Sequence, residues 1–245
     1  LEAKDVSGQL FLAPTHKSVL KVLEQAEYLS SKYHVVVANP PYMSSKGMGK
    51  RLSKLVKDNY EDTKTDLFSA FIERSMMLCL SDGQLGFMTP FVWMFLSSYE
   101  KLRVKLIELK TLTSLVQLEY SGFDGATVPV CTFTFQNGFS SGFKGGYIKL
   151  SDFKGAKHQG PKALEAIKEP DSSWFYRLNS SDFIKMPGCP IAFWVSSNLR
   201  DSFQVSSSFS SYSDTRSGLV TGDNDHYIRQ WSEVSIETAG FNLDK

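Results

Sequence analysis

The feature that most constrains this chain is an apolar run that stops at two prolines. Residues 34–38 read HVVVA, and residues 39–42 follow as NPPY. A β-branched run without polar alternation predicts a strand buried on both faces of a parallel sheet. Proline has no N–H to donate to a strand ladder, so the strand must end at Asn39. In open α/β sheets ligands bind beyond the carboxyl ends of the strands, which makes this corner the first candidate site.

The corner offers two hydrogen-bond acceptors on a stiff backbone. Asn39 has a neutral carboxamide whose oxygen is a strong acceptor. Because a proline follows it, Asn39 is biased to an extended backbone. Pro40 and Pro41 each fix φ near −65° and leave a carbonyl without an N–H. Two converging acceptors suit a ligand nitrogen with two N–H bonds, such as the exocyclic amino group of a nucleobase.

Tyr42 places an aromatic ring directly after these acceptors. A base stacked on such a ring gains on the order of 1–3 kcal/mol. A base inside a duplex reaches such a corner only if it is flipped out of the stack. The simpler alternative is that the proline pair only ends the strand, as such pairs usually do.

The surrounding pattern alternates helices and strands, which predicts an α/β fold. Residues 44–65 are polar and rich in Gly, Ser and Lys, and we expect a mobile loop there. The apolar spacing predicts helices over 17–32, 66–80 and 97–110, and strands over 34–38, 85–88, 113–120 and 128–136.

The residue composition of the chain changes after Asn137, which predicts two domains. The Gly-Ser segment that begins at 138 has the composition of a hinge, and short mixed segments follow it. We therefore expect an α/β domain over 1–137 and a linker with a smaller α+β segment over 138–245.

Composition excludes several classes of protein. The net charge of the 245 residues is +1, so no overall basic field indicates a polyanionic partner, although a local patch can act without one. The three cysteines are far apart and form no Cys-x-x-Cys pair, so we expect no disulfide, no metal site and a reducing cytoplasm. No run approaches the roughly 20 apolar residues of a membrane helix. The first residue is not Met, which suggests an excised fragment.

Several stretches together resemble one family. VVVANPPY resembles motif IV of the amino-group DNA methyltransferases that modify adenine. Residues 65–93 are similar to the motif V helix and the motif VI strand of that family, and 123–136 resemble motif VIII. Residues 217–234 are similar to the segment that opens the target-recognition region in type IIG restriction-modification proteins and in BREX phage-defence methyltransferases of the PglX group.

The resemblance implies a fold and an activity. The fold would be the C-terminal half of a Rossmann-like class I methyltransferase sheet, followed by the start of a target-recognition region. The activity would be transfer of a methyl group from S-adenosylmethionine to a flipped adenine in double-stranded DNA. The catalytic residues implied are Asn39, Pro40, Pro41 and Tyr42.

The resemblance also assigns binding residues. Tyr42 would stack on the base, with Phe135 and then Phe133 as candidates for its other face. For both phenylalanines the alternative is core packing. Residues implied at the cofactor are Asn39, Asp66, Leu67 and Phe71, with helix packing or an N-cap as the alternatives; those implied at DNA are Lys46, Lys50 and Arg51, with a solvated loop as the alternative.

The sequence departs from the family in one respect. No Gly-rich turn after a strand, which would bind the cofactor, occurs in 1–32. We therefore expect this piece to be inactive alone.

Three alternatives for the function remain open: a cytosine-N4 DNA methyltransferase, a catalytically silent DNA-binding module of the same fold, and a protein or RNA methyltransferase. We expect a bacterial cytoplasmic protein without membrane contact, with other defence-system proteins as further partners.

Overall fold

The fold alternates helices with the strands of a single six-stranded sheet. The computed structural model describes residues 12–120, 122–123, 128–208, 211–214, 226 and 228–235. The helices are α1 (Leu12–Ser30), α2 (Lys50–Asn59), α3 (Leu67–Leu78), α4 (Glu100–Leu109), α5 (Ala156–Lys168) and α6 (Ser197–Val205). The strands are β1 (Tyr33–Ala38), β2 (Cys79–Pro90), β3 (Thr111–Gln117), β4 (Val130–Gln136), β5 (Lys144–Lys149) and β6 (Phe175–Asn179).

The sheet is mixed rather than fully parallel. Its order is β1-β2-β4-β3-β5-β6. The pairs β1–β2 and β3–β5 are parallel, and the other three pairs are antiparallel. The α/β class predicted from the sequence is confirmed, and α1, α3 and α4 fall where apolar spacing predicts helices.

The main core lies on one face of the sheet, beneath α3 and α4. Strands β2 and β4 point alternate residues into it, as the two-residue period of a strand requires. Phe87, Phe133 and Phe135 are each at most 3% exposed and pack ring against ring. Helix α3 adds Phe68 and Ile72 from its buried side.

Strand β1 differs from the prediction on one point. Val36 and Ala38 pack against the core, whereas Val35 and Val37 are 61% and 76% exposed. The expectation that both faces of this run are buried is therefore wrong for this structure. The physical reason is that none of the described residues covers the second face of β1.

The segment predicted as a mobile loop over 44–65 contains helix α2, so that prediction is wrong. Leu52, Val56 and Tyr60 recur every four residues and form one apolar side. This side packs against Leu67 and Ala70 at the start of α3. Its many lysines concealed the helical period, because charged residues on the outer side dominate the composition.

The sheet continues across the predicted domain boundary. β5 pairs with β3, and β6 pairs with β5, so strands from both sides of residue 138 lie in one sheet. Tyr147 of β5 is fully buried against Phe183 and Phe193. A smaller apolar cluster unites β3, β5 and α5 on the other face of the sheet through residues such as Ile148 and Ala166. The functional division at 137/138 stays a prediction.

Residues 207–245 cluster as a second unit, of which only short parts are described. There, a 3₁₀ turn at Trp231–Glu233 begins with a reciprocal cap between Gln230 and Glu233. Much of 217–234, and Ser121 with 124–127 of the Gly-rich connection, lie outside the described residues. Among the helices that are described, none has the length and apolar character that a bilayer span requires.

Candidate active site

The Asn-Pro-Pro-Tyr corner lies at the carboxyl end of β1, directly after Ala38. The parallel register sets Ala38 beside Phe87 of β2, so the corner lies next to the end of that strand. Asn39 is exposed, whereas Pro40 is buried. Among the described residues, no hydrogen-bond donor reaches the carbonyl oxygen of Pro40. The carbonyl of Pro40 is therefore one acceptor of the corner that no described residue occupies.

The hydroxyl of Tyr42 links the corner to β2. It lies 3.2 Å from Asn39 Oδ1 and 3.3 Å from the backbone carbonyl oxygen of Met88. Partial burial, and secondarily the nearby Cys131 thiol, raises the pKa of Tyr42, so the phenol stays a donor. The contact holds the Asn39 carboxamide against the neighbouring strand and leaves it accessible to solvent.

The ring of Tyr42 is partly exposed. It keeps 38% of its surface accessible, and it makes a T-shaped contact with the ring of Phe68, with 6.4 Å between the ring centroids. Phe68 is 1% exposed and belongs to the main core. The ring is thus supported by the core and still has surface that a planar ligand can contact.

The start of α3 anchors the chain just after the corner. Asp66 caps α3 by accepting the amide N–H of Phe68 through Oδ1, and the same oxygen accepts the amide N–H of Met43 at 3.0 Å. The Leu67 amide donates to the Met43 carbonyl at 2.9 Å. Ser44 forms an isolated antiparallel bridge with Asp66. A helix end and the corner are therefore tied together by backbone hydrogen bonds.

The assignment of base stacking to Phe135 and Phe133 is corrected by the structure. The two side chains are 0% and 1% exposed, and each stacks or tilts against Phe87 inside the core. Both point to the face of β4 that α3 and α4 cover. Their role is core packing, and no face of either ring is open to a ligand.

The predicted cofactor residues divide in a similar way. Leu67 is 8% exposed and packs with Met48 and Val56, and its role at the cofactor stays a prediction. Phe71 is 41% exposed on α3. Oδ2 of Asp66 accepts no hydrogen bond from the described residues, whereas its Oδ1 caps the helix.

The predicted DNA-binding residues are all exposed. Lys46 lies in the loop after the corner, and Lys50 and Arg51 lie in the first turn of α2. Within the described part of the chain, no carboxylate comes within 4.0 Å of their charged nitrogens.

Sequence reasoning missed the carbonyl of Met88 as part of the site. Only the register of β1 against β2 indicates it: Ala38 pairs with Phe87, so Asn39 comes beside Met88.

The nearby Cys131 thiol is buried. The Thr89 hydroxyl lies 3.8 Å from the Cys131 sulfur, and burial raises the pKa of Cys131 to about 12. This thiol is therefore an inert neutral group. The described residues contain no cluster that would hold a metal ion.

The chain thus combines a mixed α/β sheet with an exposed Asn39 directly after a strand that pairs in parallel with its neighbour. Residues 11–123 match the Eco57I restriction-modification methylase family. The resemblance that the sequence motifs indicate is thus confirmed.

Two relatives extend the likeness beyond the matched segment. The chain is 35% identical over 216 residues to the adenine-specific methyltransferase PglX of Lacticaseibacillus casei strain Zhang, covering 87% of this chain and 18% of that protein. It is 32% identical over 239 residues to the adenine-specific methyltransferase BrxX of Escherichia coli O9:H4 strain HS, covering 95% of this chain and 19% of that protein. The chain therefore spans less than a fifth of each relative.

A solved structure shares the fold. A chain of the type I R-M system, from work on its complex assembly and conformational transition, superposes with a TM-score of 0.52 at 16% identity. The match covers 66% of this chain and 38% of that one. At this level of identity the likeness is one of fold alone.

Proposed function

We propose that this chain is the catalytic portion of a longer adenine-specific DNA methyltransferase that acts in restriction-modification or phage defence. The observation that carries the proposal is the corner, where Asn39 is exposed and the carbonyl of the next residue, Pro40, has no donor among the described residues. The names of PglX and BrxX, both adenine-specific methyltransferases, support the choice of adenine.

The corner activates the amino group through its two acceptors. The lone pair of an adenine amino nitrogen is delocalised into the ring, which makes the nitrogen a poor nucleophile. Hydrogen bonds from its two N–H groups to Asn39 and to the Pro40 carbonyl favour a more tetrahedral nitrogen. The contribution of these residues is positioning and charge complementarity, and no covalent intermediate is needed.

Tyr42 sets the direction of the carboxamide. Its single proton cannot serve both oxygens that face it, Asn39 Oδ1 and the Met88 carbonyl. All the contacts are satisfied when the Asn39 amide turns over: its NH2 group donates to the phenol oxygen, and the phenol donates to Met88. The carboxamide oxygen then points outward, beside the Pro40 carbonyl, where the target amino group binds.

The ring of Tyr42 holds the flipped base, and Phe68, which belongs to the main core, supports that ring.

S-Adenosylmethionine, when bound, supplies the methyl group on a sulfonium. Of the predicted cofactor residues, the exposed Phe71 and Oδ2 of Asp66 fit such a group, together with Asn39. The chain has no Gly-rich turn before the corner that would bind the rest of this group. The partners are double-stranded DNA and other defence proteins in a bacterial cytoplasm.

Replacement of Asn39 by Ala in the full-length protein tests the proposal. We expect kcat for methyl transfer to fall by about 10²–10³-fold, the usual cost of removing one preorganised polar group at a reacting centre. DNA binding and folding should persist because Asn39 is exposed. The assay measures methyl transfer to unmodified genomic DNA, with the modified base identified by mass spectrometry.

Asn198→Ala is the matched control, because this asparagine is exposed on α6. It should leave activity unchanged. N4-methylcytosine as the only product would replace adenine by cytosine in the proposal. Unchanged activity of the Asn39→Ala protein would refute a catalytic corner and support a silent DNA-binding module.

A further inference from the structure

We propose that the outer side of α2 is a phosphate-contacting surface that grips the DNA backbone beside the flipped base. The inference rests on the proposed function and adds the surface that holds the substrate. It places the predicted DNA contacts Lys50 and Arg51, together with Lys54 and Lys57, on one folded helix, with Lys46 just before it.

The helix is divided into an anchored side and a basic side. Val56 is 2% exposed and packs with Leu67 and Ala70, so α2 is fixed to the start of α3. Lys50, Lys54 and Lys57 recur at intervals of four and three residues, which places them on one side of the helix. These three are exposed, as are Arg51 and Lys46.

The positive charge of this surface is not neutralised within the described part of the chain. None of its five cations lies within 4.0 Å of a carboxylate there. On α4, by contrast, the lysines are paired, Lys101 with Asp62 at 2.9 Å and Lys105 with Glu73 at 2.6 Å. A concentrated patch on a chain of net charge +1 fits a polyanion.

The anchoring fixes α2 relative to the corner. Val56 contacts the cluster that contains Leu67, the Leu67 amide donates to the Met43 carbonyl, and Met43 directly follows Tyr42. A surface coupled in this way to the base-binding ring can set the register of a duplex whose base is flipped. Phosphate contacts position a nucleic acid without reading its sequence, so the partner chemistry is the DNA backbone.

The test measures salt-dependent DNA binding by a triple variant. In the full-length protein, Lys50→Gln, Lys54→Gln and Lys57→Gln are combined, since Gln preserves helix propensity. Binding to a labelled random-sequence duplex is measured by fluorescence anisotropy over a series of sodium chloride concentrations. The slope of log K against log salt should become shallower by about 0.9 per lost contact, hence by about 2.7.

The matched control removes the same charge elsewhere. Lys17→Gln, Lys21→Gln and Lys32→Gln change exposed residues in and just after α1. The control should keep the wild-type slope. An unchanged slope in the α2 variant, or equal losses in both variants, would overturn the proposal, as would a wild-type protein that does not bind the duplex.

Kinetics separate this proposal from the proposed function. The α2 variant should raise KM for DNA and keep kcat at saturating DNA, whereas Asn39→Ala lowers kcat and keeps binding. If the wild-type protein binds DNA through α2 but transfers no methyl group, the proposed function fails and the α2 surface stands. If methyl transfer is intact and insensitive to the α2 variant, the α2 surface alone is refuted.

Discussion

Tyr42 combines an aromatic surface with a hydroxyl that directs its neighbour. The tetrapeptide predicts the ring, because an aromatic residue after two fixed prolines faces the same ligand as Asn39. The hydroxyl contact to the Met88 carbonyl depends on the pairing of β1 with β2 and so cannot be read from the motif. The two phenylalanines of β4 failed as stacking candidates for a related reason. A period of two fixes which residues share a face, and it does not say which face is covered.

Tyr42→Phe separates the ring from the hydroxyl. We expect kcat to fall by about tenfold, since one hydrogen bond is worth about 1–1.5 kcal/mol, and KM for DNA to stay nearly constant. Stacking is retained, so Tyr42→Ala should lose activity further. Steady-state kinetics on the full-length protein measure both. Full activity of Tyr42→Phe would show that the hydroxyl does not orient Asn39.

The pH dependence gives a second measurement of the same hydroxyl. Burial raises the pKa of Tyr42 above its usual value near 10, so the neutral donor form persists to higher pH than in a free tyrosine. We therefore expect any loss of kcat from Tyr42 ionisation to have its midpoint above pH 10. A loss of kcat with a midpoint below pH 10 in wild type that disappears in Tyr42→Phe would contradict this assignment.

Asp66 is the residue through which α3 supports the corner. Asp66→Ala removes the acceptor shared by the Met43 and Phe68 amides. The loss of a helix N-cap costs about 0.5–2 kcal/mol, and the segment 43–45 loses part of its attachment. Hydrogen exchange should therefore accelerate in 43–45 and in the first turn of α3. Asp66→Asn keeps an acceptor oxygen and should exchange more slowly than Asp66→Ala; equal exchange in both variants and wild type would contradict this role.

A helix or strand could be predicted where its own residues have a periodic apolar pattern. Helices α3 and α4, and strands β2 to β4, have apolar periods strong enough to be found from the sequence. Helix α2 was missed because only Leu52, Val56 and Tyr60 mark its buried side among many lysines. Strands β5 and β6 were missed because their burial comes from distant partners: Tyr147 is covered by Phe183 and Phe193.

Arg103 shows how long-range contacts join the two sides of the predicted boundary at 137/138. Its buried guanidinium donates to the carbonyl of Gly188 at 2.6 and 3.0 Å, and to the carbonyls of Trp93 and Leu96, both at 2.7 Å. Three carbonyls from segments far apart in sequence thus share one cation. The planar fork of Arg is suited to such a set, and Lys would not reproduce it. No sequence period signals such a contact.

A cut between Ser141 and Gly142 tests whether the two sides of 137/138 form one continuous sheet or two separate domains. The segment is exposed, and Gly142 has a φ of +77°, so an inserted protease site there disturbs no buried residue. After cleavage of the full-length protein, we expect the two pieces to co-elute in size-exclusion chromatography. The β3–β5 ladder and the buried Tyr147 hold them together, and each large apolar side chain that stays buried contributes about 1.5–3 kcal/mol. Urea should separate the pieces, which confirms that cleavage is complete. Separation in native buffer would mean that 1–137 and 138–245 are independent bodies and that the sheet is not continuous across them.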